Sequence, residues 1–417
     1  MAGKGQLSPS AIMLSTHANI ALYSLAFWIQ QAAVPFLLQK WEASNLAFGY
    51  LQTMFAAVQL LGGPLFGRFG DLYGARLALC LAFGASGISC LTVALTDGLF
   101  WMFLSRLPLM LVHAMQGGQM VVTDLSDPLK RSDSLAKLGI SYGVGMVLGS
   151  LSSGFIIKAT SEHYACFIAA VLSFGSMSAV WLTIPANLKA SPVMSKSSTA
   201  SSSADDANEA GFKSSSSGAK VFDLAKFSEF LVKNRRTRWL LAVKVVTGIP
   251  IGLLQSMMPI ISVKQLGATP QISGIMMAYV AVVSMAVQGL GISVLTKRFS
   301  DSLLLTVGCA ILTVGYFMLA FLGTQIYYLF VCILPLVIGL TLINVLVSSA
   351  LTNAVSLEDT GSVLGINMSI NSVIRIASPT LGGLMLDNLG VWSFGFLGSV
   401  NSALVAAYIL RAHLKRV

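Results

Sequence analysis

Two arginines interrupt strongly apolar stretches of this chain. Arg106 lies within the stretch 99–122, and Arg375 lies midway along the stretch 361–386. If these stretches cross a bilayer, a charge at such depth is costly, and it usually lines a water-filled cavity or bonds to backbone carbonyls of a neighbouring helix. The two arginines are therefore candidate binding or coupling residues, with bridges between helices as the alternative.

Polar groups accompany each arginine at helical spacing. His113 follows Arg106 by two turns, which predicts one common face if the helix is continuous, and Gln116 follows one turn later. Asn371 precedes Arg375 by one turn. Because a histidine changes its charge near neutral pH, His113 is the candidate proton carrier.

The positions of the acidic residues indicate which charge the solute carries. All sixteen lie in loops, in a polar central segment or at the ends of apolar stretches. Buried arginines without a deep carboxylate favour an anionic or amphipathic solute over a hard cation, and an organic cation would need aromatic faces such as those of Tyr23 and Phe27. His17 is a second candidate for proton transfer. Lys244 lies near one end of its stretch, where a long side chain can reach the surface, which favours a structural role.

The sequence gives no support to enzymatic or metal chemistry. No group of His, Asp, Glu or Cys within the apolar stretches has catalytic or metal-ligand spacing. The five cysteines all lie inside those stretches, which excludes a disulfide framework. We therefore expect no enzymatic activity, no cofactor and no bound metal.

The elements that hold these residues are long enough to cross a membrane. Of the 417 residues, 55% are apolar and only 10% are charged, against roughly 25% charged in soluble domains. A helix needs about 20 apolar residues to cross the bilayer core. Twelve stretches of this kind predict an all-α integral membrane protein: 13–38, 47–67, 77–95, 99–122, 135–157, 164–185, 239–263, 272–295, 303–322, 326–350, 361–386 and 391–410.

The basic residues predict the orientation of these spans. Of the 26 Lys and Arg, only Lys40, Lys158 and Lys264 fall in the loops of one side, and most of the others fall on the opposite side. Lys and Arg concentrate on the cytoplasmic side of membranes, so both termini are expected in the cytoplasm. The net charge of +10 then reflects topology and contact with membrane lipid, and no nucleic-acid partner is expected.

A polar segment divides the chain into two halves of six spans. Residues 189–238 are Ser-rich and end in a basic amphipathic stretch, which suits a helix on the membrane surface or an ordinary solvated helix. Residues 123–154 and 352–383 resemble each other without a gap, as in an internal repeat. We expect pseudo-symmetric six-helix bundles at 1–188 and 239–417, with a solute site between them.

A glycine-rich motif follows the second span. It contains Gly67, Asp71, Gly74 and Arg76; its glycines permit a tight turn, and Asp71 can pair with a base or cap a helix. The spacing resembles the signature between spans 2 and 3 of the major facilitator superfamily. That resemblance implies the twelve-helix major facilitator fold and a loop that latches the two halves in the outward-facing state. Leucines occupy two basic positions of the signature, so we expect a weaker latch.

Small residues at helical spacing mark the ends of spans 5 and 11. They are Gly145, Gly149 and Gly154, and in the second copy Pro379, Gly382 and Gly383. Such residues let helix backbones approach closely. The pattern also resembles the antiport motif of drug–proton antiporters, and Arg106 falls where those proteins carry an arginine associated with proton coupling.

Longer runs, including Ala47–Asp71, resemble a member of solute carrier family 22. The resemblance implies a polyspecific transporter that exchanges organic cations for protons. We expect a monomer in the apical plasma membrane, with an intracellular membrane as the alternative. The short connection between spans 1 and 2 departs from the large extracellular domain of typical members. Transport of organic anions or lipid-like solutes, and a scaffold or sensor without transport, are the alternatives.

Overall fold

The described part of the chain consists of helices joined by short connections. A computed structural model describes residues 8–127, 131–186, 235–288, 295, 298–352, 354–355 and 360–414. Its α-helices are α1 (Pro9–Lys40), α2 (Asn45–Tyr73), α3 (Ala75–Ala94), α4 (Leu99–Leu104), α5 (Ala114–Leu125), α6 (Arg131–Ala159), α7 (Glu162–Thr183), α8 (Arg235–Ile260), α9 (Pro270–Ala286), α10 (Asp301–Ala320), α11 (Ile326–Thr352), α12 (Thr360–Leu389) and α13 (Trp392–Leu414). A 3₁₀ turn, Leu107–Leu111, separates α4 from α5, and a π turn, Ile261–Gln265, extends α8.

These helices account for the predicted membrane spans. Ten segments are long and apolar enough to cross a membrane, and one of them joins α4 and α5 as Leu99–Leu125. The shorter apolar helix α9 and the long helix α12 complete the twelve. The all-α fold class is confirmed. The Ser-rich segment from 187 to 234, with the predicted amphipathic stretch, lies outside the described residues.

Residues with hydroxyl side chains cap the N-termini of several spans. Ser44, Ser161, Thr269 and Ser300 stand directly before α2, α7, α9 and α10, and each accepts a hydrogen bond from a backbone N–H of the first turn. Such caps satisfy donors that have no partner inside the helix. The capping residues thus define locally where these spans start. Apolar side chains around the rest of each helix suit contact with lipid and with other helices.

The helices form two bundles that meet mainly along two helix pairs. In the first half α1 packs against α6 and α7; in the second half α10 packs against α11 and α13. Helix α2 crosses to α12, and α6 crosses to α9. These two pairs are equivalent under a two-fold pseudo-symmetry, because α6 and α12 carry the two copies of the sequence repeat.

Each of these two helix pairs has a glycine at its closest approach. A Cβ atom on Gly49 of α2 would overlap the carbonyl oxygen of Pro379 in α12. A Cβ atom on Gly274 of α9 would overlap the carbonyl oxygen of Ser150 in α6. Ser150 and Pro379 occupy matching positions of the repeat. We call these two contacts the glycine seams.

The seams lie at the end of the molecule where α1 finishes and α2 begins. Near this end the Asn45 amide donates to Asp387 across 2.7 Å, and the Thr53 hydroxyl donates to the Ile376 carbonyl across 2.8 Å. Lys264 also donates to the Ala43 carbonyl. The two halves are therefore in contact at the end opposite to the glycine-rich motif.

Candidate functional site

A cavity of about 180 Å³ lies among helices of both halves, mostly of the second. Its wall consists of Trp28, Met146, Ile251, Leu254, Gln255, Met258, Pro259, Met276, Met277, Val280, Leu312, Tyr316, Ile333, Leu336, Val337 and Leu340. None of the described residues that line it is charged, and methionines make the wall adaptable. Because a cavity of about 150 Å³ can hold benzene, this one has room for a single ring or a short branched chain.

A group of aromatic rings adjoins the cavity at Trp28. Phe27 lies 5.7 Å from Trp28 and 6.1 Å from Phe55, measured between ring centroids. Tyr23 lies 6.0 Å from Phe27 and 6.4 Å from Tyr142. Tyr23 and Phe27, the predicted binding residues, are themselves buried. In this structure they support Trp28, which is the ring of the group that forms part of the cavity wall.

Arg375 lies on α12 with an exposed side chain. Its charge acts on the hydroxyl of Tyr142, which belongs to the other half. In the repeat, Arg375 matches Met146, which lines the cavity. Asn371 is half-buried one turn earlier. Arg375 is thus a predicted site residue whose charge acts across the boundary between the halves.

Arg106 is buried inside the first half. Its side chain is 1% exposed, and it donates a hydrogen bond to the Met102 sulfur at 3.3 Å. Cys90 of α3 and Cys166 of α7 are close enough to feel its charge. Its Nε has no hydrogen-bond partner among the described residues. The guanidinium therefore lies among sulfur atoms between α3 and α7, away from the cavity wall.

Span 4 is broken between Arg106 and His113. Helix α4 ends at Leu104, a 3₁₀ turn follows, and α5 begins at Ala114. Gln59 of α2 donates to the carbonyls of Leu109 and Val112, at 3.2 and 3.1 Å, and so satisfies acceptors that the break releases. The prediction that Arg106 and His113 share one face of a continuous helix is wrong.

His113 faces α2 instead. Its ring lies 5.6 Å from the Phe66 ring, and its Cε1 adjoins Gly63. Its Nε2 is buried without a hydrogen-bond partner among the described residues. The Gln116 amide packs against Gly67, one of the glycines of the predicted latch. These contacts connect His113 and Gln116 to α2, the helix that also forms a glycine seam.

The glycine-rich motif forms the turn between α2 and α3. Gly74 has φ of +86°, a left-handed conformation that favours glycine. Arg76 donates to the Trp181 carbonyl at 2.6 Å, and its guanidinium lies 4.2 Å from the centroid of the Trp181 ring. Asp71 is exposed. In this structure Arg76 bonds within its own half, at the end away from the seams.

The antiporter-like residues divide between two packing roles. Gly145 and Gly149 approach α1 of the same half, and Gly382 approaches α8 of its own half. Gly154 instead meets the first residues of α9 across the boundary, and Gly383 meets the first residues of α2. The predicted close packing is present, and its final glycine lies between the halves in both copies.

Sequence reasoning missed most of the cavity wall. Gln255 and Met258 lie in a span that carried no motif, and Tyr316 lies in another. The glycine seams were also missed. Gly49 follows the capping residue Ser44 at the same sequence separation as Gly274 follows the capping residue Thr269, and both glycines precede the midpoints of their helices. This matching position in the two halves was the signal in the sequence that could have predicted the seams.

Two pseudo-symmetric helical bundles with a cavity between them define a membrane transporter built from repeats. The chain belongs to the Major Facilitator Superfamily, whose model matches residues 17–379. Solute carrier family 22 member 18 of Rattus norvegicus is 34% identical over 98% of this chain and 96% of that protein. Solute carrier family 67 member A1 of Homo sapiens is 34% identical over 97% and 93%.

Solved structures agree on the fold. The nucleoside transporter NupG has a TM-score of 0.72 at 14% identity, covering 97% of this chain and 99% of that one. The human organic anion transporter MFSD10 (TETRAN) has a TM-score of 0.63 at 17% identity, covering 97% and 100%. The predicted major facilitator fold and the resemblance to family 22 are confirmed. The protein is a multi-pass membrane transporter of small solutes and not an enzyme.

Proposed function

We propose that this protein is a secondary transporter of amphipathic organic solutes that works as a monomer by alternating access. The observation that carries the proposal is the apolar cavity between two halves that are held together at one end by the glycine seams and by hydrogen bonds. Rocking of the halves about the cavity would open the seams and expose the solute to the other side. The glycine-rich motif would then latch the opposite end.

Two classes of solute are candidates, and they differ in charge. Exchange of organic cations for protons is the activity that the family 22 resemblance suggests, and the rings around Trp28 support it through cation–π contact. Organic anions form the second candidate, which the exposed guanidinium of Arg375 near the centre favours. In the described part of the chain, the cavity wall carries no carboxylate that would hold a cation.

Counterflow in proteoliposomes tests the proposal directly. Vesicles with purified protein and an unlabelled amphipathic solute inside should accumulate the same labelled solute from outside, and protein-free vesicles should not. Solutes of matched shape that carry positive, zero or negative charge separate the two candidates. Absence of counterflow with every member of the series would support a scaffold or sensor in place of a transporter.

We further propose that both termini and the Ser-rich segment face the cytoplasm, as the Lys and Arg distribution predicts. A cysteine at Ser202 and a cysteine at Gly323, in the connection between α10 and α11, should react with an impermeant maleimide from opposite sides of the membrane. The five native cysteines lie in the spans, so a cysteine-free background removes their signal. Labelling of both positions from one side would contradict this topology.

Proton coupling is proposed to depend on His113. This histidine is half-buried, and its buried Nε2 has no hydrogen-bond partner among the described residues, so a proton bound there would be exchanged as α2 moves against α5. His113→Gln keeps hydrogen bonding but cannot titrate. We expect solute accumulation driven by a proton gradient to fall to the level reached without a gradient, while counterflow continues.

The matched control for this variant is His163→Gln, at the start of α7. It should leave gradient-driven accumulation unchanged. Persistent accumulation in His113→Gln would show that another group carries the proton. The next candidate is His17 of α1, whose Nδ1 lies 2.9 Å from the Ser141 hydroxyl of α6.

A further inference from the structure

Lys244 is buried in the second half. Its side chain is 3% exposed, and its Nζ donates a hydrogen bond to the Asn344 amide oxygen at 2.5 Å. No hydrogen bond to a carboxylate is present for it in the described part of the chain. The expectation that Lys244 reaches the membrane surface is therefore wrong. A buried ammonium with a single amide partner is costly, because it keeps donors that a stronger acceptor could satisfy.

The pair lies beyond one end of the cavity. Lys244 precedes Ile251, a cavity residue, by two turns on the same face of α8, and Asn344 follows Leu340 by one turn on α11. The two helices run in opposite directions, so both steps lead toward the same end. At about 1.5 Å per residue, Lys244 and Asn344 are roughly 6–10 Å from the cavity wall.

We propose that Lys244 and Asn344 bind the anionic head group of an organic acid whose apolar body occupies the cavity. The ammonium supplies three N–H donors and the amide supplies two, and a carboxylate can accept from both. Asn344 is exposed, so a head group can reach the pair. This inference rests on the proposed transport function, and it selects organic acids among the amphipathic solutes.

Three probes of one shape test the head-group site on the purified full-length protein. They are 4-phenylbutanoate, 4-phenylbutan-1-ol and 4-phenylbutylamine, each titrated while thermal unfolding is followed. The acid should bind about tenfold more tightly than the alcohol, as expected for a hydrogen bond to a charged group. The amine should bind more weakly than the alcohol, because it would stand against Lys244.

Substitutions assign the effect to the pair. Lys244→Met should remove the tenfold preference for the acid and leave binding of the alcohol unchanged, and Lys244→Arg should retain the preference. Lys158→Met, an exposed lysine at the end of α6, is the matched control and should change nothing. If Lys244→Met does not fold, Asn344→Leu provides the second variant, with a smaller loss of the same preference.

The outcomes separate this inference from the proposed function. Equal binding of acid and alcohol to the unaltered protein, or an acid affinity that Lys244→Met does not change, overturns the head-group site while transport of amphipathic solutes stands. Binding of none of the three probes, together with no counterflow, overturns both. Leu340→Trp, which fills the cavity, should abolish binding of all three.

Discussion

Leucine at Gly274 is expected to reduce transport about tenfold or more, and leucine at both Gly49 and Gly274 is expected to abolish it. Each glycine lies against a backbone carbonyl of the opposite half, at Ser150 or Pro379. Backbone cannot move aside as a flexible side chain can, so a leucine keeps the helices apart. Overpacking of this kind costs about 1–3 kcal/mol, which shifts a two-state equilibrium about 5- to 150-fold.

The two seams should act additively, because they lie in different helix pairs without shared partners. The doubly substituted transporter would then remain open at the seam end. A cysteine placed at Gln255, in the cavity wall, should react with an impermeant maleimide added at that end, and the same cysteine in the unaltered background should react much more slowly.

Gly175→Leu is the matched control. Gly175 lies in α7 with no atom within 4 Å of an added Cβ, so the same substitution there meets open space. Its transport rate and unfolding temperature should equal those of the unaltered protein. If the seam variants transported normally, close approach at Gly49 and Gly274 would not be part of the transport cycle.

Much of the fold follows from the sequence because membrane insertion depends on simple rules. Length and apolarity identify the spans, and caps such as Ser44 and Thr269 fix where two of them begin. The ungapped repeat predicts the pseudo-symmetry, which Ser150 and Pro379 display at the two seams. Each of these signals is local or periodic, so it can be recognised without the tertiary structure.

The break in span 4 could not be recognised in this way. Pro108 lies at the break, but α1 contains Pro35 and α2 contains Pro64 without interruption. The difference is tertiary, since Gln59 of another helix satisfies the carbonyls that the break releases. Proline alone therefore does not predict where a membrane helix divides.

Burial of charge was equally hard to predict. Lys244 and Arg375 both interrupt apolar spans, but the lysine is buried beside Asn344 and the arginine is exposed. Sequence depth gives the distance of a residue from the end of its span, and it does not give the helix that will cover it. The face that a charge occupies becomes defined only once the two bundles have packed.

Methionine in place of Arg106 is expected to separate stability from function. The arginine is 1% exposed, it donates a hydrogen bond to the Met102 sulfur, and its Nε lacks a partner among the described residues. Removing one member of a good buried ion pair destabilises a protein, but here no carboxylate among the described residues would be left without its partner. Methionine has a similar length and suits the sulfur-rich surroundings. The unfolding temperature of Arg106→Met should therefore equal or exceed that of the unaltered protein.

Transport by Arg106→Met should fall about tenfold or more, because the substitution would remove about 1–3 kcal/mol of coupling free energy between conformations. The reason is that a charge kept in a membrane span at such cost is by default a functional residue, and Arg106 lies where span 4 changes from α4 to the 3₁₀ turn. Arg106→Lys keeps the charge, so it should retain more transport than Arg106→Met. The two variants should have the same unfolding temperature. A variant that transports normally but unfolds several degrees lower would instead identify Arg106 as a bridge that holds α3 and α7 together.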